Sequence, residues 1–303
     1  MRASRCSRGV ALDRRLRDAL VAAATAVGVL ALSQVPAAAA PRVTPGSRYL
    51  ALGDSVTFGY QENEVVPAPR YGDPASFRAY PEQLGSELRL KVANAACPGE
   101  TSASLINARV QSNGCENSAS GPTGYRDLYP LHVRYRGSQL SYALRYLRRH
   151  RRTRLVSLMI GANDLFLCRL RTSDACVSES EQAAVFKRVR RNVRRVVRAI
   201  RRRARYRGQL VIVRYYSLAY SSPLVSGLSK GLNRAMERGA RGYHVRVADS
   251  YAEFRRAAAH SGGSPCAAGL LNQLNGRPGD CGVHPSYAGQ ALLAAALQKA
   301  IRL

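Results

Sequence analysis

The chain has 303 residues, 46% of them hydrophobic, a composition that excludes a chain too polar to build a core. That length suits one large domain or two small ones. The formal charge is +28, and of 47 basic residues only Lys91, Lys187, Lys230 and Lys299 are lysines. Such a balance suits anionic partners such as phospholipid surfaces, acidic wall polymers or nucleic acid, and says nothing about fold.

The N-terminus reads as an export signal. Arg2, Arg5, Arg8, Arg14, Arg15 and Arg17 precede an apolar segment, 19–32, and "PAAAAP" offers Ala37 and Ala39 as a small-residue cleavage site. The apolar run is too short and Ala-rich for a membrane span. Arg14-Arg15 sits in a context that fits a twin-arginine signal poorly. The expected division is a signal peptide over 1–39 and one catalytic domain over 40–303, exported after cleavage near Ala39. Six cysteines lie beyond the signal, and an even number in an exported chain argues for disulfides. The short closures are expected: Cys97–Cys115, Cys168–Cys176 and Cys266–Cys281.

Five short apolar runs read as strands: 48–52, 91–95, 154–160, 209–214 and 244–248. Helical patterns lie between them. The segment 80–90 has Pro81 in its first turn, where proline is tolerated. The segment 138–150 places Leu140, Ala143, Leu144 and Leu147 on one face, with Ser138 as a cap. The segment 185–207 repeats the pattern with Val185, Val189, Val193, Val196, Ile200 and Ala204. A last helix starts near Pro285. Strands alternating with helices imply a parallel α/β sheet covered on both faces.

That topology gives meaning to three polar loops. In open parallel sheets, ligands bind at the carboxyl ends of strands. "GDS" (Gly53–Ser55), "ACPGETS" (Ala96–Ser102) and "GAND" (Gly161–Asp164) each follow a strand. Serine is too weak an acid to attack an ester unaided and needs a base. Of five histidines, only His284 stands in a Gly-containing loop, "CGVHPSYAGQ", directly before a helix. A developing oxyanion needs donors, and the N–H groups of Ser55 and Gly99 and the Asn163 amide are candidates. No CxxC pair or HExxH motif is present, so no metal and no cofactor are expected.

"GDSVTFGY", "YPEQL", "ACPGETS", "IGANDL" and "HPSYAGQALLA" together resemble the GDSL, or SGNH, hydrolase family, in its secreted bacterial lipase-like branch. The match runs in order from Tyr49 to about Leu297. The resemblance implies a flavodoxin-like three-layer α/β/α domain around a central, about five-stranded parallel sheet. It implies Ser55 as nucleophile, His284 as general base, and Ser55, Gly99 and Asn163 as the oxyanion hole. The implied activity is carboxylic ester hydrolysis through an acyl-enzyme, with lipid acyl esters favoured. Carbohydrate or wall-polymer O-acetyl esters are the alternative, and a non-catalytic polyanion-binding protein is the rival of another class. The family often has Asp three residues before the histidine, but here that residue is Cys281, with Asp280 one further back. The reading therefore favours a main-chain carbonyl near Cys281 as the third element over Asp280. "GLSKG" (Gly227–Gly231) imitates a nucleophile elbow, but no strand leads into Ser229. The expected partner is a small-molecule or lipid ester; the arginines of the helix over 187–207 read first as a solvated face, with attraction to anionic lipid or wall polymer as the alternative. A monomer is expected, without sequence-specific nucleic-acid binding.

Overall fold

The computed structural model describes residues 40–303; the signal-peptide reading lies outside the described residues. In chain order the elements are β1 (Arg48–Gly53), α1 (Ser55–Phe58), α2 (Tyr80–Glu87), β2 (Lys91–Asn94), α3 (Tyr125–Leu128), α4 (Gln139–Arg149), β3 (Thr153–Met159) and α5 (Ala162–Arg171). Then come α6 (Glu179–Arg198), β4 (Gln209–Val213), α7 (Pro223–Ala240), β5 (Val245–Ala248), α8 (Ser250–Ala257), β6 (Leu271–Gln273), β7 (Cys281–Pro285) and α9 (Tyr287–Ala300).

The five expected strands pair in parallel in the order β2-β1-β3-β4-β5, which is the flavodoxin-like order. β6 and β7 form a separate antiparallel pair. β1 is buried from Tyr49 onward, as a central strand covered on both faces must be. Helices α2, α8 and α9 pack together over one face, and α4, α6 and α7 cover the other.

The helices form as their patterns require. In α4 the buried residues include Leu140, Ala143, Leu144 and Leu147, and the Ser138 hydroxyl accepts from the Ser141 N–H. The apolar stripe of α6, Val185, Val189, Val193 and Val196, is buried while Arg191, Arg194, Arg195 and Arg198 are exposed. Burying each such side chain is worth roughly 1.5–3 kcal/mol, so the stripe fixes the helix and leaves the arginines to water. α6 ends in one π-helical turn, Ala199–Arg203, from which Arg201 donates to the carbonyls of Tyr206, Gly208, Tyr243 and His244. That fork ties the helix end to the loops entering β4 and β5.

Three disulfides close the short loops: Cys97–Cys115, Cys168–Cys176 and Cys266–Cys281. Among the described residues no helix is long and apolar enough to cross a membrane.

Candidate active site

β1 ends at Gly53, and the chain turns at once into the short helix α1. A side chain at position 53 would run into Thr57 and the Met159 carbonyl, so only glycine fits between them. The turn is clamped by Gln139 from α4: its Oε1 accepts from the Gly53 N–H (2.7 Å) and its Nε2 donates to the Gly53 carbonyl (2.9 Å). The same Nε2 reaches Glu100 Oε2 at 3.0 Å. Glu100 is fully buried, and burial together with the charge of Glu116 raises its pKa well above the usual range.

Asp54 caps α1, with Oδ1 accepting from the Val56 N–H (3.1 Å) and Oδ2 from the Tyr215 hydroxyl. Burial pushes its carboxyl up to about 6, against the lowering effect of the Tyr215 hydrogen bond. Asp54 thus spends one oxygen on the turn and the other on Tyr215, and Ser55 is left at the first helical position facing the cavity.

His284 comes from the far end of the chain. It lies in β7, which pairs antiparallel with β6, and Ser286 just beyond caps α9. The Tyr216 hydroxyl donates to the Val283 carbonyl (2.5 Å), and Cys281 is tethered to Cys266. The imidazole is therefore held on both sides. Its Nε2 is 2.8 Å from Ser55 Oγ. The Tyr60 ring meets it edge-on, with centroids 5.0 Å apart.

The partner of His284 Nδ1 corrects the sequence reading. It is neither a main-chain carbonyl near Cys281 nor Asp280. Glu62 Oε1 lies 2.8 Å from Nδ1 and also accepts from the N–H groups of Val283 (2.8 Å) and His284 (3.1 Å). Its other oxygen accepts from Asn272 Nδ2 at 2.8 Å. Burial works to raise the Glu62 carboxyl, but the hydrogen bond and charge of His284, with the Asn272 amide, outweigh it and hold the group at about 2. Asp280 is exposed, and its carboxylate makes no hydrogen bond to His284 among the described residues.

The physical reason for the substitution is visible at Gly282. A side chain there would occupy the place of the Glu62 carboxylate. Glycine opens that space, and a glutamate from the loop after α1 fills it. Two hundred and twenty-two positions separate the pair, so no local spacing rule could have found it.

The oxyanion candidates line the same cavity. Gly99 has φ +79°, and a Cβ there would lie 2.6 Å from the Asn113 carbonyl oxygen, so the loop admits only glycine. Among the described residues nothing accepts from the N–H of Gly99 or of Ser55. Asn163 Nδ2 donates one hydrogen to the Glu100 carbonyl (3.0 Å), and its Oδ1 accepts from Asn113 Nδ2 (2.9 Å). That fixes the amide plane and leaves its second N–H for a ligand. Asp164, next along, holds the adjacent loop by accepting from the Ser102 N–H (2.7 Å) and hydroxyl (2.8 Å). Asn113 and Gln139 were not singled out from the sequence; nothing local marks either.

The cavity has a volume of about 600 Å³. Its wall is mainly apolar, with Leu165 and Phe166 from α5, Val225, Leu228 and Leu232 from α7, and Tyr215 and Tyr216 after β4. Ser229 also reaches this wall, but it is inside α7 and its hydroxyl donates to the Val225 carbonyl (3.3 Å). Both cysteine–carboxylate groupings spaced for a cation, Cys168–Cys176–Glu181 and Glu100–Cys115–Glu116, contain disulfide-bonded cysteines, which have no thiolate to offer.

A serine, a histidine and a carboxylate in hydrogen-bonded series at the carboxyl edge of a flavodoxin-like sheet define the serine-hydrolase class of site. Residues 51–292 match the GDSL-like Lipase/Acylhydrolase family. The chain belongs to that family, and it is a carboxylic ester hydrolase. Among solved structures it is similar to phospholipase A1 from Streptomyces albidoflavus NA297, at 19% identity and TM-score 0.53, covering 84% of this chain and 99% of that one. It is also similar to an extracellular lipase from Streptomyces rimosus (20% identity, TM-score 0.51, 84% and 100% covered). A third similar structure is the acetylxylan esterase Axe2 from Geobacillus stearothermophilus (18% identity, TM-score 0.52, 86% and 95% covered). These likenesses carry the fold. A search of curated proteins gives no match.

Proposed function

We propose a secreted serine esterase in which Ser55, His284 and Glu62 act as a catalytic triad on lipid acyl esters. The observation that carries it is the chain of 2.8 Å contacts, Ser55 Oγ to His284 Nε2 and His284 Nδ1 to Glu62, opening onto an apolar cavity. Ser55 Oγ attacks the ester carbonyl as His284 Nε2 takes its proton. The oxyanion meets the N–H groups of Ser55 and Gly99 and the free N–H of Asn163. The tetrahedral intermediate collapses, the alcohol leaves with the proton from His284, and the acyl group stays on Ser55. Water, deprotonated by His284, then releases the acid. Glu62 stays ionised, fixes the tautomer and stabilises the imidazolium. Export is supported by the three disulfides, which persist in oxidising compartments.

An acyl chain is the substrate feature that an apolar wall of this size rewards, at roughly 0.8 kcal/mol per buried CH₂. Acetyl esters of carbohydrate are the second reading, favoured by the likeness to an acetylxylan esterase. A chain-length series of nitrophenyl esters, with acetylated xylan alongside, separates the two. The lipid reading expects kcat/KM to rise from acetate to medium or long acyl chains and to vanish in Ser55→Ala with an unchanged circular dichroism spectrum. A maximum at acetate, or turnover by Ser55→Ala, would overturn it.

A further inference from the structure

We infer that a groove between the C-terminal half of α7 and the edge strand β5 is a docking site for an anionic polymer bearing phosphate or carboxylate groups. The groove has a volume of about 610 Å³ and is lined by Arg234, Arg238, Arg241 and His244, together with Val245 and Val247. All three arginines are exposed, and none has an acidic partner among the described residues. The one acid in the lining, Glu237, is ion-paired: Arg214 Nε lies 2.6 Å from it, and because the same guanidinium also holds Asp249 at 2.8 Å, that cluster leaves one net negative charge against the three unpartnered arginines. The charge continues onto α6, where Arg194 lies over the Tyr243 ring at 5.6 Å.

Two features choose a hydrated polymer over a membrane. The first is place. α7 lines the catalytic cavity with Val225, Leu228 and Leu232 and the groove with Arg234–Arg241. The two linings share no residue, and the groove follows the cavity toward the C-terminal end of α7, so the groove is outside the catalytic cavity and does not serve the ester there. The second is the lack of apolar anchors. Leu170 and Leu224, 66% and 51% exposed, adjoin residues that line the cavity, whereas the groove offers only Val247, at 37%. A lipid surface would be met by the first set. Guanidinium forks with few exposed apolar companions suit oxyanions spaced along a chain.

The test is a binding titration of the purified protein against long-chain inorganic polyphosphate, polygalacturonate, phosphatidylglycerol vesicles and neutral dextran at several salt concentrations. The variant is Arg234→Glu/Arg238→Glu/Arg241→Glu. A charge-matched control is Arg109→Glu/Arg134→Glu/Arg136→Glu, in loops elsewhere on the surface. The groove variant should bind at least one of the two anionic polymers tenfold or more weakly than the wild type. Its slope of log K against log salt should be shallower by about 2, the release expected from three lost contacts. The control should keep most of the affinity, and both should hydrolyse a soluble short-chain ester as the wild type does. Loss on polyphosphate only, or polygalacturonate only, tells which group is read. Should the groove triple fold poorly, the Arg→Gln triple makes the same comparison. Equal loss in groove and control variants would reduce the effect to net charge and overturn the inference. So would unchanged polymer binding, or tighter binding to the vesicles than to either polymer.

Discussion

Glu62→Gln is the decisive substitution. The change keeps the shape of the group and one acceptor for His284 Nδ1, but removes the negative charge beside the imidazole. When His284 takes the Ser55 proton, an imidazolium forms with Nδ1 2.8 Å from Glu62 Oε1. At about 4 Å between charge centres and an effective dielectric near 20, that attraction is about 4 kcal/mol. At 1.36 kcal/mol per tenfold, this is about three powers of ten in kcat. The chymotrypsin-type aspartate, replaced by its amide, costs about four. A fall of a thousandfold or more is therefore expected, with KM for a soluble nitrophenyl ester little changed. Asp280→Asn should cost less than threefold. The pH dependence has a definite sign. The Glu62 carboxyl is held at about 2, below its ordinary 4.5, so its stabilising contribution is present above the unfolded value and lost as pH falls from there toward 2. Acid unfolding of Glu62→Gln should lack that component. The measurements are kcat and KM on purified proteins with matching circular dichroism, followed by acid titration. A loss under tenfold in Glu62→Gln, or a thousandfold loss in Asp280→Asn, would refute the reasoning.

Three further outcomes are expected. Asn163→Ala should lower kcat by roughly 100- to 1,000-fold, the cost of one oxyanion donor; a change below fivefold in steady-state turnover would remove it from that role. Reducing or deleting the Cys266–Cys281 bridge, which anchors the strand carrying His284, should lower activity before it unfolds the domain. The bridge closes a loop of 15 residues, worth about 3 kcal/mol in chain entropy, so the thermal midpoint should fall as well. Arg169, the one arginine or lysine at the cavity wall, is exposed and without an acidic partner among the described residues. Arg169→Ala should raise KM for an anionic phospholipid several-fold and leave a neutral ester unaffected, and equal effects on both would deny it a role in headgroup choice.

Much of this protein was legible in the chain because the determining interactions are local. Short continuous apolar runs mark strands covered on both faces, and amphipathic stripes such as Leu140, Ala143, Leu144 and Leu147 follow from helix periodicity. Strand–helix alternation then dictates a parallel sheet, and a parallel sheet puts the loops after β1, β2 and β3 at one edge. Ser55, Gly99 and Asn163 could be set together on that basis, and the short cysteine spacings pointed to the pairs that form. The loop after α1 carries no periodicity, and the carboxylate it supplies to the site meets a residue 222 positions away. Whether Glu62 reaches His284 depends on the empty space above Gly282, on the Asn272 amide and on two main-chain N–H groups from β7. The same holds for Gln139, whose side chain braces the Gly53 turn from another helix. Elements and their order are set by short-range pattern, whereas a carboxylate's partner is chosen by whichever donors the finished packing brings within hydrogen-bond distance.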